Sequence, residues 1–194
     1  RRLHERHPSL VISVLTGPGA YLLSQLRVGE LDLVVGRMTD NPEVQGLTFE
    51  HLYNESLTLV VRSGHPLLAP GADRRSLEGF PLVLPLAGTT IRKHADAFFV
   101  QSGISAPRQR LETLSLALSR RYVEAGDAVW IAPLDAVRLD LARGELVELD
   151  LGFKEPGGSV GICSNASLPL SLAAHWTVET LREVALDYRE GRLA

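Results

Sequence analysis

The sequence predicts an α/β fold. Three observations predict it: short β-branched runs alternate with amphipathic helical stretches, Gly, Pro and small polar residues separate them, and the set occurs twice along the chain. This alternation predicts mostly parallel strands. With 194 residues, 45 % of them hydrophobic, there is enough chain for one good core or two small ones, and the composition excludes disorder.

In chain order, Pro8–Leu15 reads as the first strand and Thr16-Gly17-Pro18-Gly19 as a tight loop. Leu22, Leu23 and Leu26 follow at helical spacing, with Pro18 suited to a first helical position and Gly29 to the end. Residues 30–36 read as a second strand, Leu47–Leu52 and Ser56–Arg62 as a third and fourth, and Gly64-His65-Pro66 breaks the pattern. The second set begins with the apolar strand Phe80–Leu84 and the loop Leu86–Thr90. A helix follows with Ile91, Ala95, Phe98 and Phe99 on one face, closed by Ser102-Gly103. After Glu112-Thr113 comes a helix through Leu114, Leu118 and Tyr122. A buried strand at Ala128–Ile131 precedes a helix opened by Pro133 and ended by Gly144. Strands near Leu146–Leu149 and Val160–Cys163 and a helix from Ser171 to Tyr188 complete the chain. Two βα sets with a returning helix imply two Rossmann-like lobes around a cleft: 1–65 with 165–194 as lobe I, and 66–164 as lobe II.

Composition narrows the function. The net charge of −3 comes from 23 acids against 20 bases, and the bases are scattered, so the chain itself should not bind DNA. Eighteen of the 20 bases are Arg, the signature of a GC-rich bacterial genome. No apolar run approaches the ~20 residues of a membrane-spanning helix, and no secretory signal opens the sequence. A single Cys163 cannot form an internal disulfide, which fits a reducing, cytoplasmic setting.

Ligands of open parallel sheets lie beyond the carboxyl ends of the strands, where helix N-termini gather. Here those termini carry Thr16-Gly17, Gly88-Thr89-Thr90, Thr113 and the turn before Pro133. A Thr at a helix start is ordinarily an N-cap and nothing more; repetition at several termini points to a small anion, with Arg37 and Arg92 as candidate bidentate carboxylate clamps. Catalytic and metal-binding patterns are missing. His4 and His7 lack companions at ligand spacing, His51, His65, His94 and His175 are isolated, and there is no G-x-S-x-G, P-loop or G-x-G-x-x-G motif. Cys163 inside a strand reads as a small core residue. The expectation is no catalytic residue, no metal and no cofactor.

Several segments together resemble the effector-binding domain of LysR-type transcription regulators. They are His7-Pro8-Ser9-Leu10, Gly29-Glu30-Leu31-Asp32-Leu33-Val34-Val35-Gly36, Val60–Leu67 with its Gly64-His65-Pro66-Leu67, Glu112–Ser115, Tyr122–Trp130 and Gly144–Leu149. Leu15–Pro18, Phe49–Tyr53 and Asp127–Ile131 look most like regulators of protocatechuate (pca) catabolism and of sugar uptake. The resemblance implies a type 2 periplasmic-binding-protein-like fold and a small-molecule effector, a carboxylate or aromatic-derived metabolite. By that resemblance the effector would lie against Thr16, Gly17, Arg37, Met38, Thr89, Thr90, Thr113 and Pro133, to which the reading of the helix starts adds Pro18, Gly88 and Arg92 as candidate ligand-binding residues. The resemblance also implies a homodimer or tetramer, with promoter DNA met only through a winged helix-turn-helix domain absent from these residues. A solute-binding protein of a transporter shares the fold and stays open as the alternative. An enzyme such as a porphobilinogen deaminase relative would need an activated Cys on a loop.

Overall fold

Along one strand Leu57, Leu59 and Val61 point into one core while Val60 points into another, and the fold is built on such alternation. The computed structural model describes residues 1–37, 46–153 and 156–192. In chain order its elements are α1 (Arg2–Arg6), α2 (Gly19–Arg27), β1 (Val34–Arg37), β2 (Leu47–Arg62), β3 (Leu82–Leu84), α3 (Thr90–Ser102), β4 (Arg110–Glu112), α4 (Leu116–Glu124), β5 (Val129–Pro133), α5 (Leu134–Arg143), β6 (Leu146–Glu148), β7 (Pro156–Asn165) and α6 (Leu172–Arg189). They form two compact units, Arg1–Asn54 with Ser159–Ala194 and Glu55–Gly158. The chain passes between them inside β2 and β7, at 54/55 and 158/159, earlier than the 65/66 and 164/165 read from sequence. Gly64-His65-Pro66 is a break, but it ends a strand already within the second unit.

In the first unit β1 pairs antiparallel with β7, Val34 opposite Cys163. Leu23 and Leu26 of α2 pack with Val34 and Cys163 in one cluster, and Val178 and Ala185 of α6 pack with Leu52 and Ile162 in another. In the second unit β3 lies between β4 and β5, parallel to both, and β2 joins antiparallel to β5 and β6. One face of this sheet carries Leu57, Leu59, Leu82, Leu84, Val129 and Ile131 under Ile91, Ala95, Phe98 and Phe99 of α3. The other carries Val60, Val83 and Trp130 under Val123 of α4 and Val137 of α5.

Four expectations need correction. Leu47–Leu52 and Ser56–Arg62 are one strand, β2. The described pairing is mixed rather than mostly parallel, because the long strands β2 and β7 enter antiparallel. β4, with the polar sequence Arg110-Leu111-Glu112, was not read as a strand at all. Finally, Pro8–Leu15 is not a strand: residues 10–18 carry no regular structure, and Val11 and Val14 are 87 % and 82 % exposed. An apolar alternation says which face a strand would bury, whereas a strand exists only where a neighbour supplies the ladder. Among the described residues β1 is joined to β7 alone.

The motif Gly64-His65-Pro66-Leu67 acquires a structural role. His65, almost fully buried, accepts the Leu67 N–H on Nδ1 at 3.0 Å and donates from Nε2 to the Asp127 carbonyl at 3.1 Å. It is therefore the neutral Nε2–H tautomer, capping the short 3-10 helix Pro66–Leu68.

The closest backbone approach in the first unit is at Gly161, where an added Cβ would collide with the Glu50 carbonyl oxygen and the Phe49 ring. Gly161→Ala should therefore destabilise by roughly 1–3 kcal/mol in urea unfolding. Gly36→Ala, whose methyl meets nothing within 4 Å, should change stability by less than about 0.5 kcal/mol. Equal midpoints for the two variants would contradict the packing described.

Candidate functional site

Because β3 runs parallel to both neighbours, with Leu84 opposite Glu112 and Leu82 opposite Val129, three strands end on one edge of the second unit. The helices α3, α4 and α5 start from that edge. Of the residues expected in the site, Gly88, Thr89, Thr90, Arg92, Thr113 and Pro133 are brought together there. β2 reaches the same edge, with Leu57 opposite Pro133. A methyl on Gly158 would lie 3.9 Å from Thr90 Cγ2. One on Gly157 would lie 2.8 Å from the Glu55 carbonyl oxygen. Gly157 thus lets β7 run close against β2 at Glu55, while Gly158 is in ordinary contact with the start of α3; neither glycine stands out in the sequence.

The polar groups on this edge divide into committed and uncommitted ones. Gly88 sits at φ 85°, left-handed, and turns the chain into α3. Thr89 is the N-cap: its hydroxyl donates to the Leu86 carbonyl at 2.8 Å and accepts the Arg92 N–H at 3.3 Å. Thr113 donates its N–H to the Leu84 carbonyl at 2.9 Å, and its hydroxyl accepts the Ser115 N–H at 3.0 Å. Ser115, not Thr113, caps α4, accepting the Leu118 N–H at 3.2 Å; two Ser/Thr candidates lie within three residues, and only the helix start decides between them. Pro133 occupies the N-cap position of α5, as Pro18 does for α2, one residue earlier than the first helical position read for Pro18. Proline offers no side-chain acceptor, so neither helix start has a side-chain cap. An uncapped helix start favours an anion by about 0.3–1 kcal/mol.

Arg92, expected as a carboxylate clamp, is bonded within its own chain. Its side chain is only 12 % exposed, and its guanidinium donates to Asp96 at 2.9 Å, to Glu112 at 3.0 Å and to the Pro85 carbonyl at 3.3 Å. Burial works against its charge, but the bonds to Asp96 and Glu112 outweigh burial and raise its pKa. Its Nε and Nη1 donors are thus already engaged by acceptors of its own chain. Its partner Glu112 lies 20 residues away and was invisible to a reading of local spacing.

The remaining candidates belong to the first unit. Thr16 and Gly17 open onto a groove of about 620 Å³ bounded by Leu22, Leu31, Val34 and the start of α6, and Arg37 ends β1 opposite Val160. Met38 lies outside the described residues. His7 stacks on Trp176 at 3.7 Å between ring centres, and His4 bonds the Leu10 carbonyl at 2.9 Å, both of which are packing roles. Cys163 is buried in β7, and burial pushes its thiol pKa up, away from a reactive thiolate. Among the described residues there is no group of three or more His, Cys, Asp or Glu placed to hold a metal ion, and no helix long and apolar enough to cross a membrane.

A twofold α/β chain whose strand ends and helix starts meet at a polar edge defines a ligand-binding module. Residues 1–186 match the LysR substrate binding domain, and the chain belongs to that family. It is 37 % identical over 182 residues to the HTH-type transcriptional regulator PcaQ of Agrobacterium fabrum, covering 93 % of this chain and 58 % of that protein. The chain thus spans less than two thirds of that curated relative. It is similar in structure to the CcmR regulatory domain of Synechocystis in complex with 2-PG (TM-score 0.75, 20 % identity, 95 % and 88 % of the two chains covered). It is likewise similar to the effector-binding domain of QuiR in complex with shikimate (TM-score 0.71, 17 % identity, 100 % and 89 % covered). The fold is therefore that of LysR regulatory domains, type 2 periplasmic-binding-protein-like, as the resemblance implied.

The capping assignment is testable by itself. Thr89→Ala should cost about 1 kcal/mol of stability, whereas Thr89→Ser should keep nearly all of it. Urea unfolding of both variants checks this, and equal losses would remove the hydroxyl from the cap.

Proposed function

We propose that this chain is the sensing part of a LysR-type regulator and that the carboxyl edge of its second unit receives a small carboxylate, aromatic or muconate-like in shape. The observation that carries the proposal is the gathering of three helix starts on one edge, beside Gly88–Thr90, Thr113 and Pro133, in a member of this family. The likeness to PcaQ supports an aromatic-derived effector, and shikimate, held by a domain of the same fold, is itself a carboxylate. The same chemistry is proposed for Thr16, Gly17, Pro18 and Arg37 in the first unit.

The role proposed for the chain is sensing, not catalysis. Its polar groups at the edge are caps and ion pairs, none placed as a nucleophile beside a base. In the whole protein, effector binding biases an equilibrium between arrangements of a dimer or tetramer in the cytoplasm, and a separate domain meets promoter DNA. Moving such an equilibrium from 1:99 to 99:1 takes about 5.5 kcal/mol of differential affinity, within reach of a few charge-assisted hydrogen bonds. A relative named as a helix-turn-helix regulator favours this role over that of a transporter's solute-binding protein.

A thermal-shift panel of aromatic acids, muconates and sugar acids, with neutral analogues, tests the anion requirement. A carboxylate at a hundred times its Kd should raise Tm by roughly 5–10 °C. Stabilisation by neutral compounds alone would sink the proposal. Arg37→Ala should weaken binding of the best acid while the chain stays folded, and unchanged affinity by calorimetry would remove Arg37 from the proposed site.

A further inference from the structure

We infer that Arg92 is a positioning residue, a brace that sets the shape of the ligand edge without meeting the ligand's charge; the inference rests on the assignment of that edge proposed above. Three elements converge on one side chain. Pro85, just past β3, Asp96, one turn further along α3, and Glu112, the last residue of β4, all accept from its guanidinium. Glu112 is in turn bonded by Arg110 at 2.8 Å from its own strand.

The charges in this cluster are two guanidinium groups and two carboxylates, so the cluster offers an incoming anion no net attraction. What it offers is geometry. The segment Leu86–Thr90 leaves β3 at Pro85 and enters α3, and Arg92 ties both of its ends to β4, next to Thr113. The separation between the Gly88–Thr90 turn and Thr113 is thereby fixed before any ligand arrives. A planar fork with several donors can hold three acceptors at once, whereas a lysine ammonium on a flexible stem cannot hold the same spread. Exposed ion pairs contribute little to stability; a mostly buried guanidinium bonded to a carbonyl and two carboxylates instead restricts local opening.

Amide hydrogen exchange of the 194-residue chain, without ligand, reads the brace directly. Arg92→Ala and Glu112→Gln should each speed exchange in peptides covering Leu86–Ile91 by about tenfold or more, the factor given by about 1.4 kcal/mol of lost local protection. Peptides from β2 and β5 should be unchanged, the double variant should be no faster than the worse single one, and Arg92→Lys should fall between. Unchanged exchange at Leu86–Ile91 in both single variants overturns the inference, as does a rise spread evenly over the whole chain. Calorimetry with 3,4-dihydroxybenzoate adds the functional arm, in which both single variants should bind it more weakly. If Glu112→Gln leaves binding intact or strengthens it while Arg92→Ala abolishes it, Arg92 meets the carboxylate directly and the brace is wrong. If the unmodified chain does not bind this acid, the proposed effector class fails, while the exchange data still decide the brace.

Discussion

The second unit depends on β3, three residues long and buried throughout. Leu82 and Leu84 face the α3 side and Val83 the α4–α5 side, so this short strand is packed on both faces and hydrogen-bonded on both edges. Replacing Leu82 or Leu84 by Ala would cost on the order of 2–5 kcal/mol, a large part of the stability of a domain this size. Its parallel pairing with β4 and β5 has a directional consequence. Parallel strands all end on one side, so the helices that follow must all start there, and their N-termini point the same way. The edge proposed to receive a ligand is a by-product of burying Leu82–Leu84.

A second layer of constraint is polar. Thr89 and Ser115 close α3 and α4, whereas Pro133 leaves α5 without a side-chain cap. The edge is thus partly satisfied by its own residues and partly open to an exogenous acceptor. Arg92 and Glu112 then join the turn before α3 to the end of β4. Such pre-set geometry lowers the ordering cost of binding, which for a small ligand decides affinity as much as the number of contacts. A mobile turn would have to be ordered by the effector itself.

Much of this fold was legible in the sequence, and the failures have physical causes. Gly103 and Gly144 marked helix ends correctly, because both hold the left-handed conformation that terminates α3 and α5. Phe98, Phe99 and Ala95 marked the buried face of α3, since helical spacing alone fixes which residues share a face. Pro8–Leu15 misled because its alternation is that of a strand, but pairing is non-local. β4 was missed because Arg110 and Glu112 flank a single Leu, the pattern of a short polar edge strand. That Gly88–Thr90, Thr113 and Pro133 lie on one edge of the sheet followed from the βα order. The role of Arg92 did not, because a partner 20 residues distant decides whether an arginine is open or engaged.

The most direct measurement is a two-dimensional amide NMR titration of the isotopically labelled chain with 3,4-dihydroxybenzoate. The account predicts shifts concentrated at Gly88–Ile91, Thr113–Ser115 and Leu134–Asp135 in the second unit, saturating with one Kd. Saturable shifts confined to residues away from this edge, such as the surface around Arg121 and Arg143, would contradict it.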